Sequence, residues 1–94
     1  MQTYFMLGKY SLEALKGISK DRTKRAEEII KKNGGKLASI HATQGKYDLV
    51  LIINFQEPEM AIKTSIELTK LTSISFITIP AISVERFDEL MEDI

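Results

Sequence analysis

The chain has 94 residues, 44% of them hydrophobic and 28% charged, with thirteen basic side chains balanced by thirteen acidic ones. That make-up predicts one globular domain over 1–94 and excludes disorder and any global electrostatic pull toward nucleic acid or anionic lipid. The sequence holds no cysteine, which excludes disulfides, thiolate nucleophiles and thiolate-held metals or iron–sulfur clusters within it.

The opening Met1–Leu7 lacks the basic leader and long apolar core of a signal peptide. No apolar run approaches the roughly 20 residues a membrane helix needs, so a cytoplasmic setting with no membrane partner is expected. Residues Thr3 to Lys9 alternate and are rich in Tyr, Phe and Leu, which predicts a first strand. Ser11 suits a helix N-cap with Glu13 in the positively polarised first turn, and Leu12, Leu15 and Ile18 recur at spacing three. After a break near Gly17 to Asp21, Ser19 or Asp21 restarts the helix, and Ala26, Ile29 and Ile30 carry an apolar face to Lys32. Asn33-Gly34-Gly35 ends it, because the residue past a helix commonly turns left-handed and glycine does so without steric cost.

Lys36 to Thr43 alternates weakly and leads through Gly45 into the most apolar strand of the chain, so the two predict an antiparallel hairpin. In that second arm Leu49, Leu51, Ile53 and Phe55 fill one face while Val50 and Ile52 fill the other. Both faces of the strand therefore call for cover. Pro58 starts a helix at a position where the missing N–H costs nothing, and Met60, Ala61, Ile66, Leu68 and Leu71 supply a core-facing stripe. Ser73 to Ala81 predicts a fourth strand, with Ile74 and Phe76 on one side and Ile77 and Ile79 on the other; Pro80 limits pairing near its end. Ser83 caps a last short helix whose stripe is Val84, Phe87, Leu90 and Met91.

Strand, helix, strand, strand, helix, strand and a terminal helix predict an α+β fold, a ferredoxin-like βαββαβ sandwich with a C-terminal helix. Its helices cover one sheet face. The other keeps Tyr4, Met6, Ile40, Val50 and Ile52, or the alternate set, according to register. Each large apolar side chain left in water forgoes roughly 1.5–3 kcal/mol. The expected remedy is a second copy, with the sheets packing face to face in a dimeric α+β barrel; a monomer covered by its own terminal helix is the competing solution.

Charge is uneven along the chain. Basic residues crowd Lys16 to Lys36, and acids crowd Glu85 to Asp93 around Arg86 alone. No aromatic interleaves the basic run, which reads as a solvated helix face, and no nucleic-acid partner is expected. His41 is the single histidine, so no multi-histidine metal site forms within these residues. Its ring nitrogens can serve as a proton-transfer group or donate to a ligand, although a strand residue at a hairpin end is the plainer reading. Asp48 sits ill at the head of an apolar strand, which points to a local role. It can accept backbone N–H groups of the turn, pair with Lys36 or Lys46, or meet a ligand at the sheet rim. Ser11, Ser19 and Ser83 lack the glycine-flanked elbow of a nucleophile, and Gly34-Gly35 precedes a strand rather than a helix, the wrong order for a phosphate loop. Candidate ligand-pocket residues are His41, Tyr47, Asp48 and Tyr4; no catalytic or metal-ligating set and no cofactor is expected.

The helix ending in Gly34-Gly35, the strand to Thr43, and Gly45-Lys46-Tyr47-Asp48 before an apolar strand resemble the GYD-domain family. The likeness runs from Tyr4 to the terminal helix and includes Arg25-Ala26 and Thr78. It departs from the family where Lys46 replaces the commoner acidic residue and His41 stands where an aromatic is frequent. The resemblance implies a ferredoxin-like dimeric α+β barrel and carries no general biochemical role. Gly45-x-Tyr47-Asp48 before an aliphatic strand also resembles the effector-binding domain of leucine-responsive regulators, which assemble through their sheets and bind amino acids between subunits. The expected function is a non-catalytic homodimer or higher homo-oligomer that binds a small molecule or acts as an interaction module. The alternative is a small cofactor-independent oxygenase or isomerase in which His41 and Tyr47 position the substrate.

Overall fold

A computed structural model describes residues 1–93. The elements run β1 (Gln2–Tyr10), α1 (Leu12–Lys16), α2 (Lys20–Lys32), β2 (Lys36–Ala42), β3 (Leu49–Phe55), α3 (Pro58–Thr72), β4 (Ile74–Ala81) and α4 (Val84–Met91). The strands form one antiparallel sheet in the order β2-β3-β1-β4, and helices α2 and α3 lie on one of its faces.

Local chemistry sets the boundaries. Ser11, Ser19 and Ser83 each accept a backbone N–H through the hydroxyl, from Ala14, Arg22 and Arg86 respectively, and so cap α1, α2 and α4. The chain turns out of α2 through Gly34 at φ +79°, where a Cβ would be strained. Gly35 follows under the Phe55 ring, so close that a Cβ would stand 2.6 Å from it. Thr43 N–H donates to Asp48 O at 2.9 Å and closes the β2–β3 connection, and Gly45 turns inside it at φ +126°. β2 carries an irregularity at Ala38: Leu37 pairs with Ile53 and Ser39 with Ile52, so one residue is extra on the edge strand.

The core lies between sheet and helices and is built from Tyr4, Met6, Leu51, Ile53 and Phe55 on the strands with Ile30 of α2 and Ala61 and Leu68 of α3. The Tyr4 and Phe55 rings meet edge to face at 6.0 Å between centroids. Tyr4 and Met6 therefore face the helices, which settles the register question against their lying on the uncovered side; Ile40, paired with Leu51, shares that helix-covered side.

Two helix stripes differ from expectation. In α3 the buried residues are Ala61, Thr64, Leu68 and Thr72, while Ile66 points to solvent. Threonine survives burial there because Thr72 Oγ1 donates to Leu68 O at 2.7 Å and Thr64 Oγ1 accepts from Asn33 Nδ2 at 2.9 Å. In α1 only Ala14 is buried, and Leu12 and Leu15 are exposed, because a helix of five residues turns little of its surface inward; Ile18, beyond its end, is exposed as well. α4 buries none of its residues, so the terminal helix does not serve as a lid on this chain's own sheet.

Candidate functional site

The sheet face away from α2 and α3 is packed against neither of them and carries a field of apolar side chains. Three rows of its residues cross all four strands, and Lys9 and Ser75 continue the face beyond them on β1 and β4. One row is His41–Val50–Leu7–Ile77, the next Ser39–Ile52–Phe5–Ile79, and the third Lys36–Asn54–Thr3–Ala81. Each begins with a polar side chain on edge strand β2, and the first two run apolar all the way to edge strand β4. Phe5, Leu7, Val50 and Ile52 are half-buried by one another, and Ile77 and Ile79 are 49% and 42% exposed. In the third row Thr3 Oγ1 donates to Asn54 Oδ1 at 2.6 Å, which leaves the Asn54 amide N–H groups to point elsewhere.

The electrostatics of this face are one-sided. Among the described residues, none of the positions in the three rows is Asp or Glu, while Lys36 and His41 stand on the β2 side. Asp48 is near the rim but committed. The Tyr10 N–H donates to its Oδ2 at 2.9 Å, Lys9 Nζ lies 3.5 Å from the same oxygen, and its own N–H donates to Gly8 O at 2.8 Å. The carboxylate thus locks the end of β1 to the start of β3, and its cationic neighbour is Lys9 rather than Lys36 or Lys46.

The four sequence-derived candidates do not converge. His41 is exposed on the open face beside Val50. Tyr47 sits in the connection before β3; its carbonyl accepts from Thr43 Oγ1 at 2.8 Å and its ring lies 5.8 Å from Lys46 Nζ. Asp48 holds the rim. Tyr4 is 5% exposed beneath the helices, on the opposite side of the sheet from His41, with its hydroxyl donating to Gln2 Oε1 at 2.7 Å. The residues that sequence reasoning missed are Lys36, Ser39, Asn54 and Thr3. Parity signals part of this set: once β3 assigns Leu51 and Ile53 to the helices, alternation places Asn54 and its partners Thr3 and Lys36 on the other side, whereas Ser39 joins them only through the extra residue at Ala38, which alternation does not contain.

Among the described residues, no three His, Asp or Glu side chains gather as metal ligands would. Among the described residues, no helix is long and apolar enough to cross a membrane. The slot between helices and sheet, lined by Tyr10, Arg22, Leu49, Leu68, Ile74 and Phe76, holds about 50 Å³. That is far below the roughly 300–1,000 Å³ of a ligand pocket. A larger hollow of about 510 Å³ opens at the foot of α4, between Gln2, Thr3, Ala81, Ile82 and Arg86, and contains none of the four candidates.

Among solved structures, the leucine response regulatory protein of Mycobacterium tuberculosis superposes on 87% of this chain with a TM-score of 0.58 and 6% sequence identity. This chain spans about half of that protein, 51% of its length. At that identity the likeness is one of fold: an α+β unit with a four-stranded antiparallel sheet. No curated protein matches the chain. The model of the GYD domain matches residues 4–91, from the first core tyrosine to the last residue of α4, and the chain belongs to that family.

Proposed function

We propose that this chain is a non-catalytic binding module that works as a homodimer or a larger assembly of itself. Two open sheet faces pack against each other in a ferredoxin-like dimeric α+β barrel and enclose a small ligand. The ferredoxin-like reading is supported by the strand order β2-β3-β1-β4 and the two strand–helix–strand crossovers. The observation that carries the proposal is the contiguous apolar field of Phe5, Leu7, Val50, Ile52, Ile77 and Ile79 on a face that no helix of the same chain covers.

The ligand class follows from the rows. A small amphipathic anion on this face sets its charge on the β2 side, where Lys36 stands, and its apolar body along the Val50–Leu7–Ile77 or Ile52–Phe5–Ile79 row, in which no carboxylate opposes it. Amino and other short carboxylic acids have this form, and the name of the mycobacterial neighbour makes leucine the first compound to try. The test combines sedimentation at low micromolar concentration with a thermal-shift panel of such acids. A dimer that Ile52→Lys converts to monomer, and a specific acid that raises the melting temperature of the wild type, are the expected results. A clean wild-type monomer overturns the proposal.

A further inference from the structure

α4 is an amphipathic helix with no place to bury its apolar side. Val84, Phe87, Leu90 and Met91 are between 41% and 74% exposed, and no residue of the helix is buried. The helix is well formed all the same, with Ser83 accepting the Arg86 N–H at 3.1 Å and Arg86 paired to Glu89 at 3.0 Å. An eight-residue helix is marginal in water by itself, so a stripe of four large side chains along it signals a packing partner.

We infer that α4 is an arm that docks on the second copy of the chain, completing the dimer that the open sheet face begins. This inference rests on the face-to-face dimer proposed above and adds the surface that finishes it. Four observations select a second copy as the occupant.

The first is continuity. β4 delivers Ile77, Ile79 and Ala81 to the open face, Ile82 follows at 58% exposure, and α4 starts two residues later. The helix therefore springs from the rim of the surface that meets the partner. The second is shape. The angle between the sheet rim and α4 leaves the hollow of about 510 Å³, floored by Thr3 and Ala81 of the open face and walled by Ile82 and Arg86. A neighbour seated on the sheet would reach into this hollow and meet the inner side of the helix.

The third is area. Four strands about 23 Å long and about 4.8 Å apart project a face of roughly 450 Å². Each partner in a standard interface contributes about 800 Å². Projected area understates accessible area, so the sheet face sits toward the small end of such an interface, and the helix stripe with its hollow is the adjoining apolar surface that extends it. The fourth is charge. Residues 84–94 hold five of the thirteen acidic side chains and one of the thirteen basic ones, so the other twelve basic residues lie on the body of the fold. A chain that is neutral as a whole is thus acidic on its arm and basic on its body, and Lys36, on the open face in the same row as Ala81 at the foot of the arm, is the basic position nearest where a partner's arm would dock.

The sequence contains no tryptophan, so Phe87→Trp installs a single reporter in the stripe. Its emission should move to shorter wavelength across the same concentration range in which sedimentation records dimer formation. In parallel, Phe87→Ser with Leu90→Ser should weaken the dimer by about tenfold or more, as loss of an interface anchor does. The far-UV circular dichroism of the body should stay as it was, because α4 contributes nothing to the core. A reporter that remains at the exposed wavelength while the dimer forms overturns the arm. So does a double variant that dimerises normally while Ile52→Lys does not, and the sheet-face reading then stands without it. A wild-type chain that stays monomeric overturns both.

Discussion

Asp48 shows how one carboxylate can be fully occupied without being catalytic. It accepts the Tyr10 N–H, has Lys9 within 3.5 Å, and lies in the short stretch where Gly45 makes its left-handed turn. Asp48→Asn keeps the size and an acceptor oxygen but gives up the charge that strengthens these contacts. The expected loss is about 1 kcal/mol, since the site is partly open to water. In a domain of this size that lowers the melting temperature by about 4–8 °C, measurable by circular dichroism. Unchanged melting with lost ligand binding would make Asp48 a ligand contact instead. A local role for the carboxylate was legible in the sequence because an acid fits poorly into an apolar strand. Its partner was not, since Lys9 is distant in sequence and meets Asp48 only through the β1–β3 register. Tyr4 misled for the opposite reason: a tyrosine advertises a hydroxyl, yet here Gln2 satisfies that hydroxyl and the ring is core.

Between elements, the clearest specific tie joins α2 to α3. The buried Asn33, at the end of α2, donates through Nδ2 to Thr64 Oγ1 at 2.9 Å and to Glu67 Oε1 at 2.8 Å, and Lys32 Nζ reaches Glu67 at 3.3 Å. The Asn33 amide and then Lys32 and Lys63 hold the Glu67 carboxyl below its ordinary value of 4.5, against a smaller opposing push from burial. The folded chain thus takes up this proton less readily than the unfolded chain. The stabilisation is complete above 4.5 and drains away as pH falls through the lowered folded value. Urea titrations of wild type and Glu67→Gln should therefore differ most near neutral pH and converge on acidification. A gap that stays constant to low pH would show that the Glu67 charge contributes nothing to the tie.

Element existence was legible because three serine caps, the Gly34-Gly35 stop and Pro58 mark their places by local chemistry alone. The choice of inner face was not. Strands apolar on both sides carry period two without saying which parity the helices take, and that is decided by α2 and α3 together. Burying Thr64 and Thr72 while exposing Ile66 likewise depends on hydrogen bonds that a hydropathy stripe does not contain.

On the scale of the whole molecule the sheet has only one layer of helices, and its extents of 49 × 30 × 18 Å describe a flat, elongated body rather than a sphere. If the bare face is closed by a second copy, folding and association are linked by mass action. The melting temperature should then climb by several degrees between low and high micromolar protein, and Ile52→Lys should abolish that dependence. A melting temperature indifferent to concentration, at loadings where light scattering records a dimer, would uncouple the interface from stability.

The extra residue at Ala38 has a further effect at this scale. A straight, unpaired strand edge is a template on which other strands can add without limit, and a bulge spoils it by twisting the backbone out of line. The opposite edge is interrupted by Pro80, which has no N–H to offer an incoming strand. Both open-ended directions of growth are blunted while the flat of the sheet stays adhesive. The bulge therefore disfavours open-ended strand addition at this edge, and the face-to-face contact proposed above, unlike strand addition, saturates after one partner.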